Sequence, residues 1–291
     1  MGVPSGEGTA VEPDFSRPHT ARVYDYYLGG KDNYLADREA GDAVLAAWPG
    51  ARTAARVNRD FMHRAVRHLA AEEGIRQFLD IGTGIPTEPN LHQIAQACAP
   101  ECRVVYVDKD PLVLTHAKAL MRSAPEGRTA CVHADVTDGP DRILNAPELT
   151  DVLDFSRPVA LSLLALLHFV PDEQGAYGIV RHLLDALPAG SALVLSHGTG
   201  DFDAATMERV AQVYRRGGNA AQSRSRAEVA RFFDGLELLS PGIEVPHRWR
   251  LSEPGPELTR VGTQGVPEAT EVTDAAVGMW AAVGLKTSPA A

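Results

Sequence analysis

Three carboxylates sit at the ends of short apolar runs. Phe78-Leu79-Asp80-Ile81-Gly82-Thr83-Gly84-Ile85-Pro86-Thr87 closes the first run, Val105-Tyr106-Val107-Asp108-Lys109-Asp110-Pro111 the second, and His133-Ala134-Asp135-Val136 the third. Glycines directly after a first strand let the backbone turn sharply and let a ligand reach the main chain where a Cβ would block it. A dinucleotide fingerprint needs a third glycine three residues on, but Gly82-Thr83-Gly84 is followed by Ile85, Pro86 and Thr87. Asp80, just before the turn, suits a cationic or amine-bearing ligand better than a diphosphate. Asp108, 24 residues beyond Gly84, is placed to accept from both hydroxyls of a ribose, and Asp135 to accept from an adenine amino group. Each acid alone also reads as a helix cap or solvated turn. The three together, in strand order with the glycine turn, point to one ligand at the strand ends.

A second group lies near the N-terminus. Tyr24-Asp25-Tyr26-Tyr27-Leu28-Gly29-Gly30-Lys31-Asp32-Asn33-Tyr34 holds four of the seven tyrosines, a glycine pair and a lysine. It is not a phosphate loop, because no strand precedes it and Asp32 follows Lys31 where Ser or Thr would bind magnesium. We read it as a helix stop leading into a loop over the ligand cleft, with Gly30 allowing close backbone approach and Lys31, Asn33 and Tyr34 facing ligand or acceptor. Tyr24, Tyr26, Tyr27 and Tyr34 either line an acceptor pocket or pack the N-terminal helices. His168, in Leu166-Leu167-His168-Phe169-Val170-Pro171-Asp172, and His197 follow later apolar runs. Both also read as packed or capping histidines.

These residues need a scaffold. Short β-type runs at 77–81, 103–107, 129–133, 158–164 and 191–197 alternate with helical patterns at 88–97, 111–122 and 172–187. Strands alternating with helices imply right-handed crossovers and a parallel sheet buried on both faces, a doubly wound α/β fold. Residues 1–18, rich in Gly, Pro and Ser, read as a flexible tail, and 19–74 as a helical N-terminal cap. The cap includes an apolar stripe of Val57, Phe61, Ala65 and Leu69. The core then spans 75–291, with a capping box from Ser225 to Glu228, a short strand in Leu236-Glu237-Leu238-Leu239, a long loop at 241–275, and a two-residue period at 277–285 that favours a final strand.

The chain has 291 residues, 44% hydrophobic and 23% charged, as in an ordinary protein with a sizeable core. A net charge of −10 argues against a nucleic-acid partner, which needs clustered Lys and Arg. Three cysteines, Cys98, Cys102 and Cys131, fit neither a disulfide framework nor a zinc spacing, and no metal site is expected. There is no signal-peptide pattern and no apolar run of about 18 residues, so the expectation is a cytoplasmic protein with no membrane partner.

Phe78–Gly84, Val104–Pro111 and His133–Val136 resemble the first three motifs of class I S-adenosylmethionine (SAM) dependent methyltransferases. Leu161–Glu173 resembles the fourth, and Leu187–His197 the segment of the fifth strand. Together with Ala21–Asp42, Val57–Val66 and Arg224–Gly242, the set is similar to an actinobacterial SAM-dependent methyltransferase family long catalogued as a domain of unknown function. The likeness extends from about residue 16 to residue 286. It implies a mostly parallel, Rossmann-like seven-stranded sheet with an antiparallel last strand behind a helical cap. It further implies that Asp80, Gly82, Thr83 and Gly84 line the methionine part of SAM, that Asp108 with Lys109 holds the ribose, and that Asp135, Val136 and Ala165 complete the cofactor site. Kinship with leucine carboxyl methyltransferases suggests that Arg64, in Asn58-Arg59-Asp60-Phe61-Met62-His63-Arg64, pairs with the SAM carboxylate. Lys31 and Gly30 join the cofactor set, and His168 and Tyr34 are the catalytic candidates. The activity expected is methyl transfer to a small-molecule acceptor, at a hydroxyl or carboxyl oxygen. A SAM- or nucleoside-binding regulator without transferase activity is the alternative, and the missing third glycine disfavours a nucleotide-linked oxidoreductase.

Overall fold

The computed structural model describes residues 14–120, 122–251 and 272–288. Three helices come first: α1 (Thr20–Leu28), α2 (Leu35–Ala47) and α3 (Ala51–Ala71). Asp37, in the first turn of α2, accepts from the amides of Tyr34 and His19, each at 2.8 Å. One carboxylate therefore caps α2, where the helix dipole favours it, and docks the start of α1. Val23, Tyr27, Val44, Ala51 and Ala55 form a small core within this cap. Phe61, Ala65 and Leu69 of α3 pack against the sheet.

The sheet follows with its crossovers: β1 (Gln77–Ile81), α4 (Leu91–Cys98), β2 (Arg103–Asp108), α5 (Pro111–Leu120), β3 (Arg128–His133), α6 (Pro140–Leu144), α7 (Pro147–Thr150), β4 (Ala160–Leu164), α8 (Ala176–Asp185), β5 (Ala192–Gly198), α9 (Ala204–Arg216), α10 (Arg226–Ala230), β6 (Glu237–Leu238), α11 (Asp274–Val277) and β7 (Met279–Leu285). The described residues form a seven-stranded sheet in the order β3-β2-β1-β4-β5-β7-β6. Strands β1 to β5 run parallel, and β7 lies antiparallel between β5 and β6. Alternation along the strands builds two cores. Leu79, Ile81, Val105, Val107, Leu161 and Leu163 face one way, with Ile143, Leu149 and Leu183 over them. Phe78, Val104, Tyr106 and Ala160 face the other way, toward α3 and α4. The strand order reverses between β1 and β4, so the crevice between their C-terminal ends is where such a sheet takes ligands.

The doubly wound architecture, the Ser225–Glu228 capping box and the antiparallel last strand match the sequence reading. Several boundaries differ. Pro86 and Pro89 keep the chain extended before α4, which starts at Leu91 behind an Asn90–Gln93 capping box. The residues from 274 to 277 are helical, so the last strand begins at Met279. Of the expected 241–275 loop, 252–271 lie outside the described residues, but 241–251 are fastened to the sheet. Glu244 and Ala281 exchange backbone hydrogen bonds of 3.0 and 2.9 Å, and Trp249 is fully buried edge-on to Phe61. Of the expected 1–18 tail, 1–13 lie outside the described residues, whereas Phe15 stacks on Tyr34 at 4.2 Å and Asp14 gives its carbonyl to Arg22. The three cysteines are free thiols. No helix among the described residues is long and apolar enough to cross a membrane, and no cluster of His, Cys, Asp or Glu there could hold a metal ion.

Candidate active site

The turn after β1 is built from two left-handed residues, Gly82 (φ 75°) and Gly84 (φ 70°). A side chain at either would be strained, and a Cβ on Gly82 would also strike Leu166. The amides of Gly82 and Thr83 donate to the Val107 carbonyl at 2.8 and 3.2 Å. The Gly84 amide reaches Oδ2 of Asp108 at 2.9 Å, while the Asp110 amide takes Oδ1 at 2.9 Å. The glycine turn and the end of β2 thus form one hydrogen-bonded unit. Burial pushes the Asp108 carboxyl above its ordinary range against these two amides. Burial also pushes Asp80, at the end of β1, up to about 6.

Around this unit lies a cleft of about 360 Å³. Asp80, Gly82, Thr83, Gly84, Asp108, Lys109, Asp135, Val136 and Ala165 all line it, as the sequence led us to expect. Asp135 accepts from the Thr137 amide and hydroxyl at 2.9 and 2.7 Å, and Lys109 Nζ stands 3.3 Å from its Oδ2. Burial opposes the charged form of Asp135, but these partners outweigh it and hold the carboxyl below its usual range. Ala165, just past β4, has φ 51°, a left-handed conformation that costs a residue with a side chain. Its amide is held by the carbonyl and hydroxyl of Ser196, at 3.2 and 2.9 Å.

Five expected residues are elsewhere. Arg64 donates to the carbonyls of Trp249 at 2.8 Å and Pro246 at 2.6 Å, so it fastens the 246–249 segment and does not line the cleft. Gly30, Lys31, Asn33 and Tyr34 do not line it either. Their loop is organised around Asp25, whose Oδ2 accepts from the Asp32 amide at 3.0 Å and Asn33 Nδ2 at 2.9 Å. A Cβ on Gly30 would collide with the same carboxylate, so the glycine makes room for Asp25. Lys31 is exposed, and the Tyr34 ring packs on Phe15 beside the Arg22 guanidinium.

A guanidinium does line the cleft, that of Arg59. Its Nη2 donates to the carbonyls of Thr87 and Pro89. Arg59 and Arg64 are five residues apart, about 140° around a helix, so one facing the cleft turns the other away. Asn58 and Met62, at i and i+4 on the same side as Arg59, also line the cleft. Asn58 Nδ2 donates to the Tyr24 hydroxyl at 3.1 Å, which donates to the Ala55 carbonyl at 3.0 Å. Asn58 Oδ1 is buried with no partner among the described residues. His19, Thr20 and Tyr24 of the N-terminal cap close the cleft from above.

Thr20, Tyr24, Ala165 and Phe169 are also walls of a second cavity, of about 110 Å³. His168 lines this cavity and not the cleft. Its Nδ1 accepts from the Gly198 amide at 3.4 Å, and burial drives its pKa down to about 4. It is therefore a neutral imidazole with its proton on Nε2, which suits a donor better than a base. His197 is fully buried and spent: Nδ1 donates to the Gly198 carbonyl at 2.7 Å, and Nε2 accepts from Arg224 at 2.7 Å. Of the four tyrosines, Tyr24 and Tyr27 line the second cavity, while Tyr26 bonds Asp42 at 2.7 Å and Tyr34 packs on Phe15.

A family model for S-adenosyl methyltransferases matches residues 7–287. The chain belongs to this family. A DUF574 family protein from Streptomyces avermitilis is 52% identical, with a TM-score of 0.84 over 94% of this chain and 99% of that one. A Thermobifida fusca protein described as a methyltransferase is 38% identical, with a TM-score of 0.82 over 96% and 100%. None of the curated proteins matches. The chain is thus a SAM-dependent methyltransferase of the actinobacterial family that its motifs resemble. The cleft fits SAM on its own chemistry. It offers a guanidinium, two buried carboxylates and an orphaned amide oxygen to a ligand with anionic, cationic and ribose groups.

Proposed function

We propose that this methyltransferase acts on a small-molecule acceptor at oxygen, with the cofactor in the larger cleft and the acceptor in the smaller cavity. Adjacency carries this reading: the two spaces share Thr20, Tyr24, Ala165 and Phe169 as common walls. In this arrangement Asp108 accepts from the ribose hydroxyls, and Asp135 with Val136 flanks the adenine. Arg59 pairs with the cofactor carboxylate, and Asn58 Oδ1 with Asp80 receives the ammonium. When bound, SAM supplies a sulfonium methyl as the electrophile. The acceptor oxygen bonds to that carbon as the carbon–sulfur bond breaks and its electrons stay on sulfur. Such a displacement asks the protein mainly for alignment and exclusion of water. The cap residues His19, Thr20 and Tyr24 supply that cover, and Ala165 is held rigid at the junction by Ser196.

The test is a radiolabelled-methyl screen of small-molecule extracts, with hydroxyl- and carboxyl-bearing fractions separated. Label in a base-stable or base-labile oxygen-linked product of low mass is expected. Label only in macromolecules, or on nitrogen or carbon, would overturn the proposal.

A further inference from the structure

The second cavity has a definite chemistry. None of its lining residues is Asp, Glu, Lys or Arg. Tyr24, Tyr27, Trp48, Tyr214, Met207 and Met279 supply aromatic and thioether surface. Such walls favour flat apolar guests through edge and face contacts with rings and sulfur. The volume, about 110 Å³, is of the order of an apolar cavity of about 150 Å³ that takes benzene.

Two polar handles around it are already used. Trp48 Nε1 donates to the Ala275 carbonyl at 3.1 Å, and the Tyr24 hydroxyl to that of Ala55 at 3.0 Å. Two remain. The Tyr27 and Tyr214 hydroxyls meet at 3.3 Å, and a pair sharing one hydrogen bond leaves the second phenolic proton uncommitted. Burial raises both groups, Tyr214 to about 12, so both stay protonated. His168, with Nδ1 taken by Gly198, keeps Nε2–H as a donor. These groups are neutral, and a carboxylate entering such walls would lose its hydration with no side-chain cation of the cavity to meet it.

Building on the proposed function above, we infer that the acceptor is a single uncharged aromatic ring bearing a hydroxyl, a phenol-class molecule held in this cavity. The phenolic oxygen forms the new bond to the methyl carbon, the carbon–sulfur bond breaks with its electrons going to sulfur, and the phenolic proton passes to a water molecule. Carboxyl methylation is thereby set aside in favour of hydroxyl methylation.

The experiment uses the full chain saturated with S-adenosylhomocysteine, whose affinity is measured first by calorimetry. Failure of that step counts against the cofactor assignment and separates it from the acceptor question. Phenol and benzoate are then titrated at pH 8, with saturation-transfer NMR as the readout. Phenol binding at least about tenfold tighter than benzoate is expected. Ala211→Phe, which fills the cavity from α9, should abolish phenol binding and leave S-adenosylhomocysteine affinity within about twofold. Val44→Phe repeats the test from α2, should the first variant fold poorly. Benzoate binding as tight as phenol, or phenol binding untouched in a folded, filled variant, would overturn the inference.

Discussion

The backbone amide of Gly84 donates to Oδ2 of Asp108 at 2.9 Å, and this bond joins the glycine turn after β1 to the acid at the end of β2. With Asp110 on the other oxygen, two of about four lone-pair positions are used, which leaves room for two ribose hydroxyls. Asp108→Ala should weaken SAM binding at least about tenfold, since charge-assisted hydrogen bonds contribute about 1.5–3 kcal/mol each. It should also lower the melting temperature, because two amides lose a buried acceptor. Calorimetry with a parallel thermal melt checks both, and wild-type affinity in the variant would end the ribose assignment.

Asp80 gives a pH signature. Burial raises its carboxyl from 3.8 to about 6. For an acid so raised, the stabilising contribution is complete below the unfolded value and is lost as pH rises through about 6. The shift of roughly two units corresponds to a cost on the order of 3 kcal/mol at neutral pH, carried by the ligand-free protein. Asp80→Asn should therefore raise the melting temperature at pH 7.5 while weakening SAM binding. In the wild type, SAM affinity should fall as pH drops through about 6, with a proton released on binding there. Buffer-dependent calorimetric enthalpies report that proton. Equal SAM affinity at pH 5 and pH 7.5 would remove Asp80 from the cationic end of the ligand.

Arg59 and Arg64 should separate cleanly. Arg59 lines the cleft and also holds the carbonyls of Thr87 and Pro89, so Arg59→Ala should cost about 10- to 100-fold in SAM affinity and lower the melting temperature as well. Arg64 holds the carbonyls of Trp249 and Pro246, so Arg64→Ala should destabilise by about 1–3 kcal/mol and leave the affinity intact. Denaturant melts and calorimetry on the two variants decide it. The reverse pattern would restore Arg64 as the carboxylate ligand.

The contrast between these arginines shows what the sequence makes legible. Asp80, Asp108, Asp135 and the Gly82–Gly84 turn sit at the ends of strands, where period-two apolar runs and glycine punctuation fix position to within a residue. The doubly wound order follows from the same runs. A helix gives less, because a motif match can be right while the phase of one side chain is wrong, and Arg59 and Arg64 lie about 140° apart. The Gly30–Tyr34 loop has the composition of a ligand loop, but its conformation is set by Asp25, a partner no local pattern reveals. The 241–275 stretch reads as a loop because it is rich in Pro, Gly and Glu, whereas long-range contacts, Glu244 with Ala281 and Trp249 with Phe61, decide the place of 241–251. The second cavity draws its walls from α1, α2, α3, α9 and the strand ends at once, and so has no sequence signature.

Arg224 shows how a residue remote from the cleft can position one beside it. It is fully buried, yet it donates to Asp172 Oδ1 at 2.6 and 3.1 Å, to the carbonyls of Leu167 and Val170 at 2.9 Å each, and to His197 Nε2 at 2.7 Å. Tyr177 and Phe232 place their rings 5.4 and 5.3 Å from the guanidinium carbon. The bonds to Leu167, Val170 and Asp172 hold the segment carrying His168 and Phe169, and the bond to His197 ties it to β5. Removing a buried cation from its partners strands several acceptors, so Arg224→Met should destabilise by on the order of 3 kcal/mol. His197 is held well below its ordinary pKa first by burial, then by His168 and Arg224. Loss of the guanidinium should therefore raise it, a change that simple loss of packing would not produce. NMR titration of the histidine resonances alongside a urea melt tests both effects. A variant with wild-type stability and an unmoved His197 titration would show that Arg224 does not hold this segment in place.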